Sequence, residues 1–141
     1  MTELTKAELH AVICKNRHAV VASRDPNGAP QAALVGIAVS PELEIYFDTT
    51  EFTRKAVNLR RDPRVALVIG WDNEQSVQLD GYADEPKGAE LTALKAIYFA
   101  AFPDGPSREN WPGITWFRVR PRWIRFSDFN LTDGAVREIT L

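Results

Sequence analysis

The stretch FDTTEFTRKAVNLRRDP, residues 47–63, sets Arg54 and Lys55 side by side where a short helix begins. With Thr53 as the N-cap, the two cations take the first two helical positions, against the positive end of the helix dipole. Each then costs the helix roughly a few tenths of a kcal/mol. A bound anion reverses that sign. The free N–H groups of the first turn, the threonine hydroxyls and both cations would face it together. Phosphate suits such a place, since arginine offers a planar fork and lysine a compact charge. The alternative is that Thr50 or Thr53 only caps the helix, that the cations are solvated, and that Glu51 offsets part of their charge.

Other residue types offer less chemistry. The chain holds one cysteine and two histidines, His10 and His18, so neither an internal disulfide nor a transition-metal site is expected. Cys14 reads as an inert helix residue, because no Cys–His signature surrounds it. His18 opens a strand and reads as a surface residue. Trp111, Trp116 and Trp123, with Phe117 and Phe126, either wall a ring-binding groove or a dimer seam, or pack as core. Arg118, Arg120, Arg122 and Arg125 alternate along RVRPRWIRF and read as a solvated strand face. Asp80, Asp84 and Glu85 form no evident acid pair, and no Ser-His-Asp order is present.

These residues sit in a chain of ordinary globular composition. It has 141 residues, 45% apolar and 26% charged, and a formal net charge of −2. One domain is expected, spanning residues 1–141. The charge balance speaks against a nucleic-acid or anionic-membrane partner. The apolar runs are too short for a membrane helix, and MTELTKAELHAV lacks the order of a signal peptide, so a cytoplasmic protein is the expectation.

Thr5 and Glu8 form a T-x-x-E capping box ahead of Leu9, Val12 and Ile13, which predicts a helix over 5–16. Strands follow at 18–24, after which DPNG turns the chain, at 30–40 and at 43–48. Gly36 within the second marks a bulge or a close approach to the backbone. Phe52, Ala56 and Leu59 share one face of the next helix, which Asp62-Pro63 ends. Strands are predicted at 64–71 and 75–85, and a helix over 86–101 with Leu91, Leu94 and Tyr98 on its apolar face. A Pro- and Gly-rich loop then leads to strands at 114–120 and 122–129, with Pro121 at the corner. The tail from residue 130 carries no clear signal. About seven short strands at regular spacing argue for a small antiparallel barrel, with a sandwich as the rival.

The run IYFDTTEFTRKAVNLRRDPRVALVIGW resembles the core of the pyridoxamine 5′-phosphate oxidase-like family, the FMN-binding split barrels. An aromatic strand ends in Thr49, Thr53-Arg54-Lys55 opens a helix, and Asp62-Pro63 leads into a hydrophobic strand. VQLDGYADE resembles the family's next strand, with its glycine at Gly81. The resemblance implies a mainly β fold, an antiparallel split barrel of six to seven strands with inserted α-helices. It implies a homodimer with flavin sites at the subunit interface. Thr53, Arg54 and Lys55 would hold the flavin phosphate, with Thr49 near it. Ala33, Leu34 and Val35 would line the isoalloxazine, partly through backbone groups, and Ser76 would come from the partner subunit. By an ungapped count Ala33 stands where the true oxidases carry an arginine. The Arg-x-His-x-Arg segment of those oxidases is missing from SDFNLTDGAVREITL. The expected protein is therefore an FMN-dependent oxidoreductase acting on an unidentified small-molecule substrate, rather than the true oxidase. An F420-dependent reductase of the same fold, or a non-catalytic flavin-binding stress or sensor protein, is the alternative. The family's haem binders would give His18 a ligand role, against its reading as a surface residue.

Overall fold

In a computed structural model of the chain, which describes residues 3–131 and 136–141, helix α1 spans Lys6–Cys14. Its N-cap is Thr5, whose hydroxyl oxygen accepts from the Glu8 amide at 3.1 Å, and it buries Leu9 and Ile13. The strands are β1 (His18–Arg24), β2 (Pro30–Gly36), β3 (Ala38–Val39), β4 (Ile45–Thr50), β5 (Arg64–Ile69), β6 (Gln75–Asp84), β7 (Ile114–Asp128) and β8 (Val136–Thr140). Helix α2 is Arg54–Arg61, helix α3 is Gly88–Ala101, and a 3-10 turn covers Gly105–Arg108. None of these helices is long and apolar enough to cross a membrane.

All strand pairs are antiparallel, in the order β2-β1-β5-β6-β7-β4-β3, with β8 added to β7. The two ends of that order, β2 and β3, are consecutive in the chain with only Ile37 between them. The sheet therefore curls until its edges meet, which makes a split barrel with inserted helices rather than a sandwich. The interior is filled by alternate residues such as Val21, Leu67, Leu79, Ile124 and Phe117, with the Phe47 and Phe117 rings stacked at 5.5 Å. A second apolar cluster lies outside the barrel. There α3 lays Leu94 and Tyr98 over Tyr46 and Trp116.

Four expectations need correction. The predicted strand 30–40 is two strands, broken at Gly36, where a Cβ would come within 2.9 Å of the Phe102 ring. The predicted pair 114–120 and 122–129 is the single strand β7. A bulge absorbs Pro121: Gly81 pairs with Pro121 and Asp80 with Trp123, so Arg122 is the extra residue. Phe52 is 71% exposed, because it lies in the turn before α2 and the helical periodicity does not reach it. Arg118 is not solvated. Helix α3 covers the outer face of the first half of β7, so Arg118 is 7% exposed and pairs with Asp84 at 2.7 Å and with Glu90 of α3 at 3.2 Å. Of the unassigned tail, residues 132–135 lie outside the described residues, and Val136–Thr140 pairs with β7.

Candidate functional site

The entry to α2 is built by three threonines. Thr53 Oγ1 accepts the Ala56 amide at 3.3 Å and donates to the Thr50 carbonyl at 3.1 Å. Its one proton is then engaged, so Thr49 is the donor in the Thr49–Thr53 hydroxyl pair at 3.0 Å. Arg54 and Lys55 follow as the first helical residues, as the spacing predicts. Arg54 is exposed and Lys55 is half-buried. Burial holds the Lys55 ammonium below its ordinary pKa of 10.5, and the charge of Asp48 acts the other way. Among the described residues neither cation has an ion-pair partner. The carboxylate of Asp48 is engaged elsewhere, by Arg108 Nε at 2.8 Å and by the Tyr98 hydroxyl at 3.1 Å.

Beside this helix mouth lies a cavity of about 380 Å³. Its floor is the inner face of β1 and β2, where Val21 stands opposite Ala33 and Ser23 opposite Gln31. Side chains alternate along a strand, so these four face one way and Leu34 the other. Arg54 and Lys55 close the side toward α2. Asn58, one helical turn beyond Lys55 and 2% exposed, ties floor to wall. Its Nδ2 donates to Ser23 Oγ at 3.1 Å and to Gln31 Oε1 at 2.9 Å. The lining carries no carboxylate, histidine or thiol. A second recess of about 260 Å³ shares Gln31 and Arg54 with the first and is rimmed by Pro26, Phe52 and Val57.

The structure thus brings Ala33, Arg54 and Lys55 onto one cavity, with Thr53 as the N-cap of the helix that carries the cations and Thr49 at the end of β4 hydrogen-bonded to it. The remaining residues named from the sequence lie elsewhere within one chain. Val35 is in the core. Leu34 is 62% exposed on the outer face of β2, so only its backbone adjoins the cavity side. Ser76 lines a separate recess of about 140 Å³ with Asn16 and Gly70. Ser23, Gln31 and Asn58 were missed. Their one sequence signal is a polar residue between Ala56 and Leu59, three places after Lys55 on the helix.

Four further groups have definite places. Cys14 is exposed near the end of α1, and His10 lies one turn earlier with Nε2 at 3.4 Å from its sulfur. Phe117 and Phe126 are buried core residues and Trp116 lies under α3, whereas Trp111 is half exposed. His18 is exposed at the start of β1. Asp80, Asp84 and Glu85 take Arg122, Arg118 and Arg60 respectively as ion-pair partners. Among the described residues, no cluster of three or more His, Cys, Asp or Glu side chains is placed to hold a metal ion.

Comparison with known proteins follows the same lines. A solved haem-binding protein from Mycobacterium smegmatis superposes with a TM-score of 0.83 at 20% identity, covering 99% of this chain and 60% of that one. General Stress Protein 26 from Bacillus anthracis gives 0.71 at 17% identity, covering 96% and 98%. At those identities the likeness is one of fold. Among curated sequences, the pyridoxine/pyridoxamine 5′-phosphate oxidase of Citrobacter koseri is 30% identical over 112 residues, covering 78% of this chain and 49% of that one. The chain spans about half the length of the curated relatives it matches. The family model described as pyridoxamine 5′-phosphate oxidase matches residues 5–128, and the chain belongs to that family.

Proposed function

We propose that the cavity at the mouth of α2 holds FMN and that the protein is an FMN-dependent oxidoreductase of this family, with its substrate unidentified. The observation that carries the reading is the chemistry of the lining. Two cations without ion-pair partners, backed by a helix N-terminus, face a space that contains no carboxylate. Such a place stabilises a phosphate monoester and repels a cation. The cavity volume, about 380 Å³, falls within the usual range for small-molecule sites.

In this reading Arg54 and Lys55 hold the phosphate. Val21 and Ala33 keep one face of the site apolar, and the short side chain of Ala33 leaves room for a flat ring system. Strand β2 pairs only with β1. Its outer backbone groups therefore remain available to a ligand. When bound, the flavin supplies the electron-transfer chemistry, and the chain supplies binding, orientation and exclusion of water.

The reading includes a homodimer. What supports it is the outer face of β2, β1 and β5, where register sets Leu34, Val20 and Val68 in one row and Ala32, Ala22 and Ala66 in the next. An exposed apolar face of this kind calls for a cover, and a second copy would also bring its Ser76 region toward the flavin. A cytoplasmic setting goes with this reading.

A non-catalytic flavin binder is the second reading. Its support is that no lining residue is an evident general acid or base, together with the fold shared with General Stress Protein 26. A site for the deazaflavin F420 rests on the same phosphate anchor. The purified protein is titrated side by side with FMN, F420 and haem, and a flavin-loaded sample is mixed with NADH or NADPH. FMN binding weakened by about ten- to a hundredfold in Lys55→Ala and Arg54→Ala supports the site, this being the scale of a charge-assisted hydrogen bond. Bleaching by a nicotinamide supports the oxidoreductase, and colour that neither donor changes favours the binder. Uptake of F420 or haem without FMN overturns the cofactor assignment.

A further inference from the structure

We infer that Asn58 sets the hydrogen-bond polarity of the cavity, holding Gln31 and Ser23 so that each offers its N–H or O–H donor to the ligand. The inference rests on the cavity being the flavin site and adds the residues that select for the phosphate end.

The Asn58 amide has two N–H groups, and both are engaged, one by Ser23 Oγ at 3.1 Å and one by Gln31 Oε1 at 2.9 Å. Each partner is thereby used as an acceptor. The NH₂ group of Gln31 and the O–H of Ser23 are left as free donors, while Asn58 already occupies one lone pair on each acceptor oxygen. Neither donor makes another side-chain hydrogen bond among the described residues, and both side chains line the cavity. Ser23 is 4% exposed and lines the cavity beside Gln31. Together with Arg54 and Lys55, every polar side chain on the lining then donates. A phosphate ester presents only acceptors and is the complement of such a surface. A ligand group that itself donates is matched less well, because Asn58 already donates to both acceptor oxygens.

The same arrangement accounts for Ala33. Gln31 is two residues before Ala33 and so lies on the same face of β2. Where the resemblance to the true oxidases puts an arginine, this chain has a methyl group with a neutral amide donor beside it. The local charge is then the two units of Arg54 and Lys55, close to the charge of −1.5 to −2 that a phosphate monoester carries. Asn58 does not itself line this cavity, and its side chain reaches it by hydrogen bonds to Ser23 and Gln31, which makes it a positioning residue.

The test measures dissociation constants for FMN and for riboflavin, which lacks the phosphate, in the wild type, Gln31→Met, Asn58→Leu, the double variant and Lys55→Ala. Melting temperatures are recorded alongside. The readout is the preference for FMN over riboflavin, because a general loosening of the fold weakens both ligands alike. Gln31→Met removes the donor at nearly constant volume, and the preference falls about ten- to a hundredfold, the scale of one hydrogen bond to a charged group. Asn58→Leu frees Gln31 to turn and lowers the preference to a similar degree. The double variant falls no further than either single one, since Asn58 acts through Gln31. It also removes donor and acceptor together, so it keeps its fold where a single variant loses stability. An unchanged or higher preference in Gln31→Met, with binding still lost in Lys55→Ala, overturns this inference and leaves the flavin site standing. A wild type that binds no FMN, or binds it no better than riboflavin, overturns the site and the inference with it.

Discussion

Asp48 acts on the charge of Lys55 without pairing with it, because both of its carboxylate oxygens are held, by Tyr98 at 3.1 Å and by Arg108 at 2.8 Å. Lys55 is left as a half-buried ammonium whose protonated form the fold disfavours.

That cost predicts a trade between stability and binding. Lys55→Met keeps the packed stem and deletes the charge, so the ligand-free protein gains melting temperature while FMN affinity falls at least about tenfold. The pH dependence has a definite sign. With the folded pKa below the unfolded value of 10.5, the unfolded chain holds the Lys55 proton to higher pH. The stability contribution of this group therefore rises as the solution is made alkaline through that window. A bound phosphate favours the protonated lysine, so FMN affinity falls over the same range. Thermal melts and fluorescence titrations between pH 7 and the alkaline limit check both, and a pH-independent affinity in the wild type would contradict the assigned contact.

The pair that keeps Asp48 occupied is itself structural. The side chains of Arg108 and Asp48 are 17% and 15% exposed, and they join the 3-10 turn to β4. Asp48→Ala leaves the guanidinium without its main partner and costs about 3 kcal/mol or more. Tyr98→Phe removes one hydrogen bond to the same carboxylate and costs about 1 kcal/mol. Urea denaturation of both variants gives the comparison, and equal losses would show that the arginine is not the dominant partner.

Gly81 predicts the sharpest single-residue loss. A Cβ built there would sit 2.1 Å from the Arg120 carbonyl oxygen, a backbone atom that cannot turn away. Gly81→Ala must therefore force the β6–β7 bulge apart, at about 3 kcal/mol or more by the cost of overpacking. Gly88, with open space around its Cβ position but φ of +60°, serves as a milder control. If both glycines tolerate alanine equally well, the bulge does not need the close approach described here.

The readable parts of this fold were those decided by neighbours in sequence. Thr5 and Thr53 announce their helices because cap and amide are three residues apart, and Asp62-Pro63 ends α2 for an equally local reason. The Arg54-Lys55 pair was legible as a candidate anion site because its misfit with the helix dipole is local too. Phe52 was misread by extending a helical period into the turn that precedes the helix. Arg118 was misread because nothing near it in sequence says that α3 will lie across β7. The contact of Asn58 with Gln31 spans 27 residues and depends on the register of β2 against β1 and on how α2 docks over both. No spacing within either segment reveals it.

Strand β7 holds three partners at once: β6 along one edge, with β4 and β8 sharing the other. It begins at residue 114 of a 141-residue chain. During synthesis, β4 and β6 each leave the ribosome with one edge still unpaired, since β3 and β5 take only the other, and those open edges must stay apart from other strands until β7 follows. The barrel is thus closed by a strand that emerges after both of the neighbours it joins. The chain's exposure to mispairing is greatest in the interval before β7 is made.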